Sequence, residues 1–252
     1  MESIAASEPV LPLDVKCVSA AYGKKQVLRD ITFNMRPGEV FGLVGLNGAG
    51  KTTLIRAILN LRKASGSISL FGESNADARA RRNLMYLPER FHPPVQLKGF
   101  EYLSILLDYF GQKLNRDAAL VTAEKLDLDP SALARSVRTY SKGMGQKLGL
   151  VGSFLVNASL MILDEPMSGL DPRARVFLKD QLLAARDAGR SIFFSSHILS
   201  DIEEICGRIG VLHGGHIIFL GTPQDFVATN RATTLERAFL AALEEADKSS
   251  LP

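Results

Sequence analysis

Two cysteines in 252 residues are too few for a disulfide framework. Cys17 and Cys206 stand far apart, form no metal-ligand spacing, and fit a reducing compartment. No apolar run approaches the ~20 residues that cross a bilayer. Residues 1–12 lack the basic start and apolar stretch of a secretory signal. A role at a membrane therefore calls for another chain to supply the membrane part. Charge of one sign is also scarce: 30 Lys and Arg face 27 Asp and Glu, with no basic block beyond short pairs. That speaks against nucleic acid as a partner. Internal repeats and low-complexity stretches are missing. What remains is an ordinary globular composition, 46% apolar and 23% charged, in a chain long enough for a large core and one or two domains.

The pattern along the chain changes twice. After a dozen loose residues, Asp14–Val18 and Ile31–Phe33 alternate as half-buried strands, with a turn at Gly23-Lys24-Lys25. Pro37-Gly38 turns into an apolar run, Val40–Val44, and Thr53–Leu59 has helical spacing. Ser65-Gly66 reads as a turn into a strand over 67–71. From about Pro93 to Val156 the pattern is helical, with Phe100, Leu103, Leu106 and Leu107 on one face and a break at Asp129-Pro130-Ser131. Strands then recur at Leu160–Leu163 and Ser191–Ser195 with a helix over Arg173–Ala188 between them, an order that implies parallel pairing. Ile209–Leu212 and Ile217–Leu220 flank Gly214-Gly215 as a hairpin. Thr233-Thr234-Leu235-Glu236 fits a capping box opening a last amphipathic helix.

The segment that carries most chemistry is Gly45-Leu46-Asn47-Gly48-Ala49-Gly50-Lys51-Thr52. It matches G-x-x-x-x-G-K-[ST], which average composition produces by chance in roughly 1% of chains this long. Its glycines let the backbone turn tightly and bring N–H groups up to a polyphosphate at a helix N-terminus. Lys51 reaches the β- and γ-phosphates, and the Thr52 hydroxyl suits Mg²⁺. Leu160–Leu163 ends in Asp164 and Glu165, placing one carboxylate for Mg²⁺ and one to polarise an attacking water. Read alone, that end is equally an ordinary acidic loop. His197 follows another strand, on the edge where parallel sheets bind ligands, although a lone His is more often structural. Tyr140–Gln146 read alone is a helix start capped by Ser141.

Together, Gly45–Thr52, Tyr140–Met144, Leu163-Asp164-Glu165-Pro166, Ser168-Gly169-Leu170-Asp171 and His197 resemble the ATP-binding cassette ATPases in order and spacing, across about residues 13–245. The resemblance implies an α/β fold: a P-loop NTPase core with a mostly parallel sheet (13–92 and 157–228), including an N-terminal antiparallel β-subdomain. It also implies an inserted α-helical subdomain (93–156), a C-terminal helix (229–245), and tails at 1–12 and 246–252. The ligands implied are ATP, bound by 45–52 and Thr53, and Mg²⁺, held by Thr52, Glu89 and Asp164. Tyr22 resembles the aromatic that stacks on adenine, Glu165 the catalytic glutamate and His197 the switch histidine. Ser141, Lys142, Gly143 and Met144 stand where the family grips the γ-phosphate of the other protomer, and Asp171 closes the loop that communicates across the dimer.

Two motifs depart from the family, at three positions. Lys142 and Met144 replace the Gly and Gln of the signature L-S-G-G-Q. Tyr86-Leu87-Pro88-Glu89-Arg90 puts Glu89 where glutamine is usual, adding one negative charge where Mg²⁺ or the lytic water would lie. This form is similar to cassettes that serve exporters of the ABC-2 type, whose membrane domain is a separate chain. The resemblance thus implies an ATPase subunit at the cytoplasmic face of the cell membrane. Two copies would pair head to tail, and the cleft near Glu89 to Gly99 would couple them to an integral membrane subunit. A soluble cassette acting on ribosomes or DNA is the alternative, but those usually carry two cassettes or a long coiled-coil insertion. A GTPase would need an N-K-x-D motif, which is absent. A regulator that only binds ATP would not need Glu165 and His197.

Overall fold

A computed structural model describes residues 9–249. Two sheets share the molecule. The first contains β1 (Leu13–Tyr22), β2 (Lys25–Met35), β4 (Ser65–Leu70) and β5 (Glu73–Ser74), antiparallel in the order β2-β1-β4-β5. Their inward residues alternate, as one-sided burial demands: Leu13, Val15, Val18 and Ala20 on β1 are buried. The second is built on β3 (Val40–Val44), β6 (Leu84–Leu87), β7 (Leu160–Asp164), β8 (Ser191–Ser196), β9 (Arg208–His213) and β10 (His216–Gly221), in the order β10-β9-β3-β8-β7-β6. Only the β9–β10 hairpin is antiparallel. Every residue of β3, β7 and β8 is buried, which explains the apolar stretches Val40–Val44, Leu160–Leu163 and Ile192–Phe194. Phe33, Phe41 and Phe193 stack at 5.2–6.1 Å and join the two sheets.

Helix α1 (Lys51–Ile58) follows β3 directly. Between β6 and β7 come α2 (Gly99–Tyr109), α3 (Arg116–Lys125) and α4 (Lys142–Leu155), with two short 3₁₀ turns between α3 and α4. Leu103 and Leu107 are buried on α2, with Phe100 and Leu106 packed beside them. Glycines on α4 admit close packing: a Cβ at Gly149 would meet Phe91 at 2.6 Å, and one at Gly152 would meet Leu106 at 2.6 Å. Helices α5 (Pro172–Asp187), α6 (Leu199–Ile205), α7 (Pro223–Thr229) and α8 (Leu235–Ser249) complete the chain.

The expected fold class holds, and three local expectations change. Ser65-Gly66 is not a turn but the start of β4, with Ser65 opposite Ser19. Gly66, at φ +83°, lies where the register against β1 slips beside Cys17, at φ +52°. A Cβ there would stand 2.4 Å from the Cys17 carbonyl oxygen, so the glycine serves a bulge. The last helix is capped one residue later than the Thr233/Glu236 box: the Thr234 hydroxyl accepts from the Arg237 N–H at 3.3 Å. That helix also runs to Ser249, past the boundary expected at 245.

Candidate active site

Strands β3, β8, β7 and β6 are parallel neighbours, so their carboxyl ends open on one edge. β3 delivers the P-loop, β7 ends at Asp164, β8 leads to His197 and β6 to Glu89. Gly48 and Gly50 adopt φ +84° and +114°. Gly45 is needed for space: a Cβ would meet the Leu212 carbonyl oxygen at 2.6 Å. Gly50 caps α1 without a side-chain bond, which leaves first-turn N–H groups for an incoming anion.

A cavity of about 510 Å³ opens there. It is lined by Leu46, Asn47, Gly48, Gly50, Lys51, Thr52, Thr53, Glu89, Glu165 and His197, all expected at the site, and by Val27, Arg90 and Ser168. Lys51 Nζ donates to the Gly45 carbonyl at 2.7 Å and stands 3.1 Å from Glu165 Oε1. The other Glu165 oxygen is 2.8 Å from His197 Nδ1. A carboxylate acceptor places the His197 proton on Nδ1 and leaves Nε2 for a ligand. Glu165 Oε1 is buried and hydrogen-bonded to nothing; its contact with Lys51 is close enough for an ion pair but poorly aligned as a hydrogen bond. Glu165 also holds a left-handed backbone, φ +50°, a strained state for a non-glycine residue.

The sequence reading did not single out Ser195. Its hydroxyl donates to Asp164 Oδ1 at 2.6 Å and accepts the Glu165 N–H at 3.0 Å, so it fixes both acids. The available signal was a polar pair, Ser195-Ser196, closing an otherwise apolar buried strand. Thr52 Oγ1 donates to the other Asp164 oxygen at 2.9 Å. Burial raises the Asp164 pKa above its ordinary value, against the two hydroxyl bonds and with help from nearby Glu165 and Glu89. Among the described residues no three His, Cys, Asp or Glu cluster as a metal site. The Thr52–Asp164 pair still fits Mg²⁺, which takes few protein ligands and completes its shell with phosphate and water oxygens.

A second cavity of about 570 Å³ shares Val27 and Leu46–Gly48 with the first, and holds Ala49 and Tyr22. The Arg62 guanidinium covers the Tyr22 ring at 3.7 Å from its centroid, leaving one face for a stacking partner. A hydrogen bond to Thr53 lowers the Tyr22 pKa. Ser141, Lys142, Gly143, Met144 and Asp171 line neither cavity. Ser141 caps α4 through the Met144 N–H at 3.2 Å, and Asp171 caps α5 through the Ala174 N–H at 3.0 Å. The start of α4 lies against the loop before α5: a Cβ at Gly143 would lie 3.7 Å from the Gly169 carbonyl oxygen. Both cysteines are free, Cys17 exposed and Cys206 buried.

Comparison with known proteins agrees with this geometry. The family profile described as "ABC transporter" matches residues 28–168. An uncharacterized ABC transporter ATP-binding protein of Synechocystis is 36% identical over 79% of this chain, which spans 57% of that relative's length. The Nod factor export ATP-binding protein I of Rhizobium etli is 34% identical over 85% of the chain and 69% of its own length. A solved "ATP binding subunit of ABC transporter" is 33% identical with a TM-score of 0.83, covering 91% of this chain and 98% of that one. A dimeric ATP-binding cassette in a post-hydrolysis state with ADP and Pi shares the fold at a TM-score of 0.76 and 19% identity, over 83% of this chain and 98% of its own. With the P-loop, its two acids and the strand order in place, the chain belongs to the ABC transporter family and carries that family's ATPase domain.

Proposed function

We propose that two copies of this chain close head to tail around two Mg·ATP and drive a separate integral membrane subunit at the cytoplasmic face of the membrane. The observation that carries the reading is Glu165, poised between Lys51 at 3.1 Å and His197 at 2.8 Å at the mouth of the P-loop cavity. Arriving phosphates would draw the Lys51 ammonium toward themselves and loosen its hold on Glu165. His197 and the Ser195 bond to the Glu165 N–H would keep the acid in place. Glu165 Oε1, with unused acceptor capacity, would then take the proton of an attacking water. Thr52 and Asp164 would hold Mg²⁺, which would supply positive charge to offset that of the phosphates.

The remaining site residues suit a partner's nucleotide. Ser141, Lys142, Gly143 and Met144 gather at the start of a 14-residue helix beside Gly169 and do not line their own P-loop cavity. Tyr22 offers its free ring face to the base. The membrane contact is assigned to 89–99 and α2, where Val95, Ile105 and Tyr109 expose apolar surface; Tyr109 is 85% exposed. No helix among the described residues is long and apolar enough to cross a membrane, so a second chain would supply the pathway. The relatives named for export make an exporter the favoured transporter type. The test is Glu165→Gln. Hydrolysis should fall roughly 10²- to 10³-fold while ATP binding persists, and ATP should then hold a dimer on gel filtration. Hydrolysis at the wild-type rate would overturn the role of Glu165.

A further inference from the structure

Three acids gather at the P-loop cavity, and two are matched. Asp164 accepts from Thr52 and Ser195; Glu165 contacts Lys51 and His197. Glu89 is exposed on the cavity wall and, among the described residues, makes no ion pair or hydrogen bond. Arg90, next in sequence, lines the same cavity without pairing to it. Elsewhere on the molecule Lys142 is in the mirror position. It opens α4, is exposed, and has no ion pair or hydrogen bond among the described residues. Its Cε lies 4.0 Å from where a Cβ on Gly169 would stand, and Gly169 follows Ser168, itself a wall of the P-loop cavity. Glu89 thus lines the cavity and Lys142 lies against the loop that follows Ser168, with opposite charges unmatched among the described residues.

We infer that Lys142 of one protomer pairs with Glu89 of its partner across the nucleotide sandwich. The inference rests on the head-to-tail reading above. In a two-fold interface a contact from residue i to residue j is repeated from j to i, so one pair becomes two and both unmatched charges are cancelled in each protomer. Two of the three departures from the family pattern, a glutamine become Glu89 and a glycine become Lys142, are then one change made in two places. The added acid beside the phosphates is neutralised by a cation that arrives only on closure. Such a pair favours this chain as its own partner, since a cassette with glutamine and glycine at these positions would leave Glu89 and Lys142 unmatched and desolvated.

The test uses full-length chain carrying Glu165→Gln, with dimer formation measured by light scattering at saturating Mg·ATP. Adding Glu89→Lys alone, or Lys142→Glu alone, sets like charges opposite each other and should weaken dimerisation about 10-fold or more at low salt, less at high salt. Both swaps in one chain should bring it back to within about threefold of the parent. A double variant no better than the worse single overturns the pair while leaving the head-to-tail reading intact. A parent that does not dimerise overturns that reading and the pair with it. Should a charge reversal unfold the chain, the milder cycle of Glu89→Gln and Lys142→Gly decides: non-additive losses support the pair, and additive losses refute it.

Discussion

Lys51, Glu165 and His197 form a chain in which each group is held partly by the next. Replacing Lys51 by Ala removes the point charge that the β- and γ-phosphates need. Affinity for a fluorescent ATP analogue should fall by at least two orders of magnitude, about 2.7 kcal/mol; unchanged affinity would remove the P-loop assignment. Asp164 carries a prediction of opposite character. Its folded pKa is raised above 3.8, so the folded protein binds that proton more tightly than the unfolded chain does. Stability is therefore lost as pH climbs from the unfolded value through the folded one. Asp164→Asn keeps the shape and abolishes this loss. Without nucleotide or metal, its melting temperature at pH 7.5 should exceed that of wild type, with the gain shrinking toward pH 4.5. A less stable mutant at pH 7.5 would contradict the burial argument. At this scale the P-loop spelling and the two acids were legible in the sequence, because phosphate chemistry constrains both residue and spacing. Ser195 was not, because its hydroxyl reaches Asp164 and the Glu165 N–H only through the pairing of β8 with β7, which no local pattern encodes.

Element boundaries followed the same logic. Strands β3, β7 and β8 were readable because burial on both faces gives each a mostly apolar run, Val40–Val44, Leu160–Leu163 and Ile192–Phe194. The bulge at Gly66 was not, because a glycine for positive φ reads identically in a turn and in a strand. The end of α4 depends on a residue far along the chain. Arg190 donates to the carbonyls of Ser153, Phe154, Val156 and Ala158, at 2.9–3.3 Å, and satisfies groups that helix termini leave open. Burial lowers its pKa to about 10, still charged at neutral pH. Arg190→Met should destabilise by about 2–4 kcal/mol, since several charge-assisted bonds go together. The melting temperature should drop by roughly 4–16 °C in a chain of this size, with a mutant within 1 °C of wild type counting against this cap. Lys147 adds a second tie, donating to the Asp127 carbonyl and carboxylate at 2.8 Å and lying 3.5 Å from Asp171, so the signature helix and the loop before α5 share one ion.

On the scale of the whole molecule, the account stands on a division of labour. Ser141–Met144 lie outside the P-loop cavity, and in the proposed head-to-tail pair each would be half a site. Ser141→Arg should leave nucleotide binding to the monomer intact and block turnover, because its target is the partner's γ-phosphate. Lys51→Ala blocks turnover from the other side. The direct measurement is ATPase activity after mixing equal amounts of these two inactive proteins. Head-to-tail pairing gives every mixed dimer one intact site and one doubly defective site. Random exchange should then restore about a quarter of wild-type activity. A mixture no more active than either protein alone would contradict the claim that each nucleotide is completed by the other protomer.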